Sequence, residues 1–232
     1  MAATRANLVF KPFDERGDVR IYYHGFLPHW RQIGCTYFVT WRLADSIPQA
    51  VLMQWRSERA EWLQARGIDS DASHWLQKFK QLPYSERILF ERHFVSQFLS
   101  KLDEGLGECV LRQQQSAREA FRSVVHFHGQ RLDVGDVVVM PNHVHALLTP
   151  YDGFPLENLL HSIKSFSSNQ IQRLRKTSGT LWMKESHDHI VRDGEELQRI
   201  QRYIRANPDK ANLPRDEYLL STAEYNLKDH RG

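Results

Sequence analysis

Two apolar runs near the middle of the chain, "RLDVGDVVVM" (131–140) and "HVHALLTP" (143–150), have the length and β-branched content of strands and are joined by a tight turn at Pro141 and Asn142. Upstream, "GCTYFVTWRL" (34–43) is rich in β-branched and aromatic residues and predicts a central strand. The pattern turns helical from about 114 to 127. After the hairpin, a long amphipathic helix carries Leu160, Ile163, Ser167, Ile171 and Leu174 along one face. "HDHIVR" (187–192) supplies a last strand. The order β, helix, β, β, helix, β is the split βαβ arrangement of ferredoxin-like sheets: an α+β fold, antiparallel, with its helices on one face.

Residues 48 to 107 are extra to that frame. Pro48 suits the first turn of a helix in which Leu52, Trp55, Arg59 and Trp62 follow helical spacing, and Gly67 closes it. At Trp55 and Trp62 this spacing points to core packing. Helical sequence resumes from about Trp75 to Leu102, so the segment is expected to be a mostly helical insertion within one domain spanning 1–232. A C-terminal helix opens at Asp193, an N-cap followed three residues later by Glu196 in a capping-box-like start. No internal repeat or low-complexity linker is visible.

Composition narrows the functional classes. A chain of 232 residues that is 41% hydrophobic can bury a real core, and its formal charge of +3 permits nucleic acid as a partner without demanding it. Its only cysteines, Cys35 and Cys109, rule out a disulfide framework or a Cys-rich zinc motif. No stretch approaches the roughly 20 apolar residues of a membrane helix, so the expectation is a soluble cytoplasmic protein with no membrane partner.

The 12 histidines include three His-x-His pairs. His126 and His128 fall at a predicted helix end, where residues two apart point about 200° apart, so they read as ordinary helix-end histidines. His187 and His189 share one face of a strand, with Asp188 opposite, and suit a structural or supporting role. His143 and His145 lie in the firmest strand of the chain. Alternation makes their imidazoles neighbours while Val144 points away. Such a pair can hold a metal ion if another element brings a partner, and is otherwise a hydrogen-bonded or exposed pair.

The C-terminal helix offers a partner. Leu197, Ile200 and Ile204 form its buried stripe, and Tyr203 lies about 60° around the axis from Ile200 at the margin of that stripe. Asn207 falls on the same side four residues on. Pro208 disfavours helical geometry in the residue before it, so the helix is expected to end at Asn207 with its amide projecting beyond the last turn. A plain helix-edge tyrosine and a capping asparagine remain the alternative.

From Leu159 through Lys184 there is no acidic residue, while Lys164, Arg173, Arg175, Lys176 and Lys184 stand among Ser, Asn and Gln. This pattern fits a phosphate-tracking surface, or else an ordinary solvated helix face.

"GCTYFVTWRLADSIP", "VVVMPNHVHALLTP", "LLHSIKSF", "LWMKESHDHIVRD" and "YIRANPDKANL", in this order between about residues 20 and 213, closely resemble the REP-associated tyrosine transposases. These are relatives of the single-strand insertion-sequence transposases in the HUH (His-hydrophobic-His) nuclease superfamily. The resemblance implies a divalent ion, Mg²⁺ or Mn²⁺, held by His143, His145 and Asn207, and Tyr203 as nucleophile. It also implies single-stranded or hairpin DNA from repetitive extragenic palindromes as substrate. The chain departs from the family pattern at His187, where an aromatic is usual, at Asp209, where a small or apolar residue is usual, and at Asn212, where glycine is usual.

The residue types suit that chemistry. Two neutral imidazoles and an amide leave a metal its full charge for a phosphate, with imidazole ligation favouring Mn²⁺ and abundance favouring Mg²⁺. Tyrosine attack would leave a 5′-phosphotyrosine and a free 3′-OH, conserving bond energy for strand transfer without ATP. The expected protein is therefore a metal-dependent single-strand endonuclease and strand transferase, working as a monomer or homodimer. Two other readings stand beside it: a catalytically silent palindrome-binding protein, and a zinc hydrolase that would lack an HExxH-like Glu base.

Overall fold

The structure, a computed structural model, describes residues 5–23 and 28–226. Its strands are β1 (Arg5–Val9), β2 (Arg20–Tyr23), β3 (Pro28–Arg31), β4 (Tyr37–Arg42), β5 (Leu132–Val139), β6 (His143–Pro150), β7 (His187–Ile190), β8 (Leu219–Ser221) and β9 (Ala223–Asn226). Its α-helices are α1 (Gln49–Gln64), α2 (Trp75–Gln81), α3 (Tyr84–Asp103), α4 (Gln114–Val125), α5 (Leu156–Arg175) and α6 (Gly194–Lys210).

The central sheet has the order β7-β4-β6-β5-β8 and all its pairings are antiparallel. Its first four strands with α4 and α5 form the predicted ferredoxin-like unit. The fifth, β8, and the small pairings β1–β9 and β2–β3 were not expected. They are short strands in polar sequence, where periodicity carries little signal.

Alternation sorts the sheet into two faces. Tyr37, Val39, Trp41, Val144, Ala146 and Leu148 face α4 and α5 in the main core. Phe38, Leu147, Val138 and Met140 face the other way, under Leu197 and Ile204 of α6. The insertion helices gather a separate cluster around Trp55, Leu63, Phe79, Phe90, Phe94 and Leu102, and Trp62 packs at its edge.

Two expectations need correcting. Leu174, expected along the apolar face of α5, is half exposed on the last turn of the helix, whose buried residues end at Ile171. The C-terminal helix does not stop at Asn207; it continues through Pro208 to Lys210. Proline's missing N–H costs one bond near a helix end, and the following turn is closed by Ala211 N–H to Asn207 O at 3.1 Å and Leu213 N–H to Pro208 O at 3.0 Å. Just beyond, Asn212 adopts φ +50°, the left-handed conformation that explains why glycine is usual there and asparagine is tolerated.

One irregularity in β5 aims residues at α6. The β5–β6 register shifts between Val134 and Val137, leaving Gly135 and Asp136 in a bulge. Asp136 is fully buried and accepts hydrogen bonds from Arg205 Nε at 2.6 Å and Ala223 N–H at 2.8 Å, tying α6 and the C-terminal strands to the sheet. A Cβ at Gly135 would stand 2.0 Å from Tyr225 Oη and 2.8 Å from Leu147 Cβ. Gly135→Ala should therefore cost about 1–3 kcal/mol, read as a lower urea midpoint; an unchanged midpoint would show that Tyr225 moves aside.

Candidate active site

The β-ladder sets the site. Thr40 pairs with His145 on one side and with His187 on the other, so His187, Thr40 and His145 form one row on the face beneath α6. Arg42 pairs with His143 in the next row of the same face. His143 and His145 are both buried, with their Nε2 atoms 3.0 Å apart.

Hydrogen bonds decide how these rings present their lone pairs. The Asn142 amide nitrogen donates to Leu102 O at 3.3 Å and Leu106 O at 3.1 Å, which turns its oxygen toward His143 Nδ1 at 2.6 Å. His143 therefore carries its proton on Nδ1 and a lone pair on Nε2. His145 Nδ1 meets the Thr40 hydroxyl at 2.7 Å. A hydroxyl both donates and accepts, so it supports either tautomer of His145: a proton on Nε2 shared with His143, or a second lone pair directed at a cation. Burial holds both rings neutral, lowering the pKa of His143 to about 3 and that of His145 well below its usual value.

Helix α6 delivers the rest. Its N-terminus is capped by Asp193, whose Oδ1 accepts from Glu196 N–H at 2.7 Å, while Glu196 Oε2 reaches back past the N-cap residue to accept from Arg192 N–H at 2.8 Å, a variant of the capping box. Tyr203 Oη lies 3.4 Å from His145 Nε2, and its ring packs edge-on to Phe38 with centroids 6.0 Å apart. Burial raises the Tyr203 pKa, and the charge of Asp103 adds to the rise. Asn207 is buried within the last turn of the helix, four residues beyond Tyr203. Its amide nitrogen donates to Asp103 Oδ1 at 3.4 Å, whereas its carbonyl oxygen is buried with no hydrogen-bond partner.

These donors fit a divalent ion. An octahedral ion with ligands at about 2.1 Å places neighbouring ligands about 3.0 Å apart, the spacing of the two Nε2 atoms. The unpartnered Asn207 oxygen is the kind of hard donor such an ion takes. The structure brings His143 and Tyr203 within hydrogen-bond distance of His145 and sets Asn207 beside them against Asp103; sequence reasoning singled out these four but not Thr40, Asn142, Arg42 or Asp103. Strand parity at Thr40 and Arg42 becomes informative only once their cross-strand partners are known. Arg42 is buried, donates to Leu43 O and Ser46 Oγ, and has Glu185 and Asp45 as the carboxylates that favour its charge.

The other histidine pairs separate as expected. His126 stacks on Phe166, while His128 Nδ1 accepts from Val134 N–H at 3.1 Å. His187 lies between the rings of Phe38 and Phe98, and His189 Nε2 stands 3.2 Å from Glu196. Opposite them, Asp188 is buried against Arg31 and His29, clamping β3 to β7.

The predicted basic residues divide. Lys164 Nζ donates to Lys184 O at 2.7 Å and lines a cavity of about 530 Å³ with His29, Arg31, His161 and Lys184. Burial lowers its pKa to about 8. Nine residues on, Arg173 projects about 180° away around the helix. Arg175 is ion-paired to Glu108, and Lys176 is exposed at the helix end.

Residues 111–207 match the family model described as "Transposase IS200 like". This bears out the resemblance to single-strand insertion-sequence transposases over the stretch that holds His143, His145, Tyr203 and Asn207. The chain is also similar to a solved structure of a REP-associated tyrosine transposase bound to a REP hairpin. Identity is 16% over 82% of this chain and 72% of that chain, with a TM-score of 0.40. Among curated proteins, none matches.

The start of α6 is acid-sensitive. Burial alone would raise the Glu196 pKa, but His189 and the Arg192 N–H and charge outweigh it and lower the value to about 2. A depressed carboxylate stabilises the fold above its unfolded pKa of about 4.3 and loses that contribution as pH falls. Urea midpoints should fall as pH drops from about 4.3 through about 2, and Glu196→Gln should flatten that part of the profile.

Proposed function

We propose that this protein is a metal-dependent single-strand DNA endonuclease and strand transferase acting on palindromic hairpin DNA, one domain over residues 1–232 with a helical insertion at about 48–107. The observation that carries the reading is the convergence of the two His Nε2 atoms and the Tyr203 hydroxyl, with the Asn207 amide beside them through Asp103 and its oxygen left unpartnered. The IS200-like match over the same residues supports it.

His143, His145 and Asn207 hold Mg²⁺ or Mn²⁺. When bound, the ion supplies countercharge to the non-bridging oxygens of the scissile phosphate and favours the phenolate. Tyr203 Oη gives up its proton and attacks phosphorus, a Tyr–O–P bond forms and the P–O3′ bond breaks, leaving a 5′-phosphotyrosine and a 3′ oxygen that takes up a proton to become the 3′-OH. The 3′-OH of a second strand reverses the step and frees the tyrosine. Packing of the ring against Phe38 and His145 fixes its direction of approach. Exposed Arg173 and Lys176 contact the DNA backbone, and Lys164 contacts it at the edge of the α5 groove; Arg175 joins them by exchanging Glu108 for phosphate.

Tyr203→Phe keeps the ring packing and removes only the oxygen. It should fold, bind Mn²⁺ and hairpin DNA, and give no protein-linked strand on a denaturing gel. His143→Ala should lower Mn²⁺-supported cleavage by at least about 100-fold while leaving hairpin binding largely intact. A wild-type protein that never forms the adduct would favour a binding-only role, and a cleaving Phe variant would mean that water or another group attacks.

Neutralising Arg173 and Lys176 together should weaken DNA binding and reduce the slope of log K against log salt by roughly 0.7–0.9 for each phosphate that the protein no longer neutralises. An unchanged slope would make them ordinary solvated charges.

A further inference from the structure

Asp103 is the last residue of α3, at the end of the helical insertion and 40 positions before His143. The backbone on either side of it is fastened to the histidine strand, because the Asn142 amide nitrogen donates to the carbonyls of both Leu102 and Leu106. The same Asn142 sets the lone pair of His143. Ligand atoms of Asp103, His143 and His145 all lie within 4.8 Å of one another. Asp103 makes no ion pair with Lys or Arg among the described residues; its polar contact is the long one from Asn207 Nδ2 at 3.4 Å.

We propose that Asp103 is an anionic ligand of the same metal site, supplied by the insertion and completing the set of His143, His145 and Asn207. The proposal rests on the reading of the histidine pair as metal ligands. A half-buried carboxylate that no cation meets within ion-pair distance is costly, and Lys210 offsets that cost only from further away. A divalent ion between it and the histidines removes that cost. A carboxylate oxygen also matches the preference of Mg²⁺ and Mn²⁺ for hard donors, which two imidazoles alone do not satisfy.

The alternative role is that Asp103 only orients the Asn207 amide. The two roles separate in Mn²⁺ titrations of the full chain without DNA, with free Mn²⁺ followed by electron paramagnetic resonance. Asp103→Asn should weaken Mn²⁺ binding by about 10- to 100-fold, and it should do so again in an Asn207→Ala background. Equal affinity of D103N and wild type, or of the double variant and N207A, would overturn the proposal. Loss of binding in H143A with none in D103N would overturn the role of Asp103 alone; full binding in H143A would overturn the histidine reading and the proposal with it. Metal-free thermal midpoints check folding, and Asp103→Ser gives the same comparison if the Asn variant folds poorly.

Discussion

Two imidazole nitrogens 3.0 Å apart in a dry interior cannot both present lone pairs unless something positive lies between them or one carries a proton. Much of the surrounding structure holds that pair in place. The two-residue turn at Pro141 and Asn142 starts the strand, and Asn142 fixes the proton on the outer nitrogen of His143. Thr40 meets His145 with a hydroxyl that can serve either tautomer. The sheet buries both rings, which keeps them neutral and available as ligands at physiological pH.

The tyrosine depends on a different set of restraints. The Asp193 cap on Glu196 N–H fixes where α6 begins, and the bulge at Gly135 and Asp136 anchors the helix through Arg205. Tyr203 then follows from helical spacing. Its environment opposes ionisation in the absence of a cation, through burial and the nearby carboxylate of Asp103. The basic side chains of α5 are spread around the helix instead of lying on one row, with Lys164 and Arg173 about 180° apart.

Local patterning in the chain determined much of this protein. Alternation from Val137 to Leu148 placed His143 and His145 on one face, the spacing of Leu197, Ile200 and Ile204 placed Tyr203 at the stripe margin, and the order of elements specified the ferredoxin-like unit. These are short-range consequences of backbone geometry, so sequence carries them. Where local rules conflicted with packing, packing won: α6 runs through Pro208 because one missing N–H near a helix end is outweighed by the turn that follows, and Leu174 is exposed although it lies on the apolar face of α5. The bulge in β5, the fifth strand, the pairing of Thr40 with His145 and the arrival of Asp103 beside the histidines were decided only by the tertiary structure. Each depends on residues far apart in the chain meeting in space, and no periodicity records which strand lies beside which or where an insertion ends.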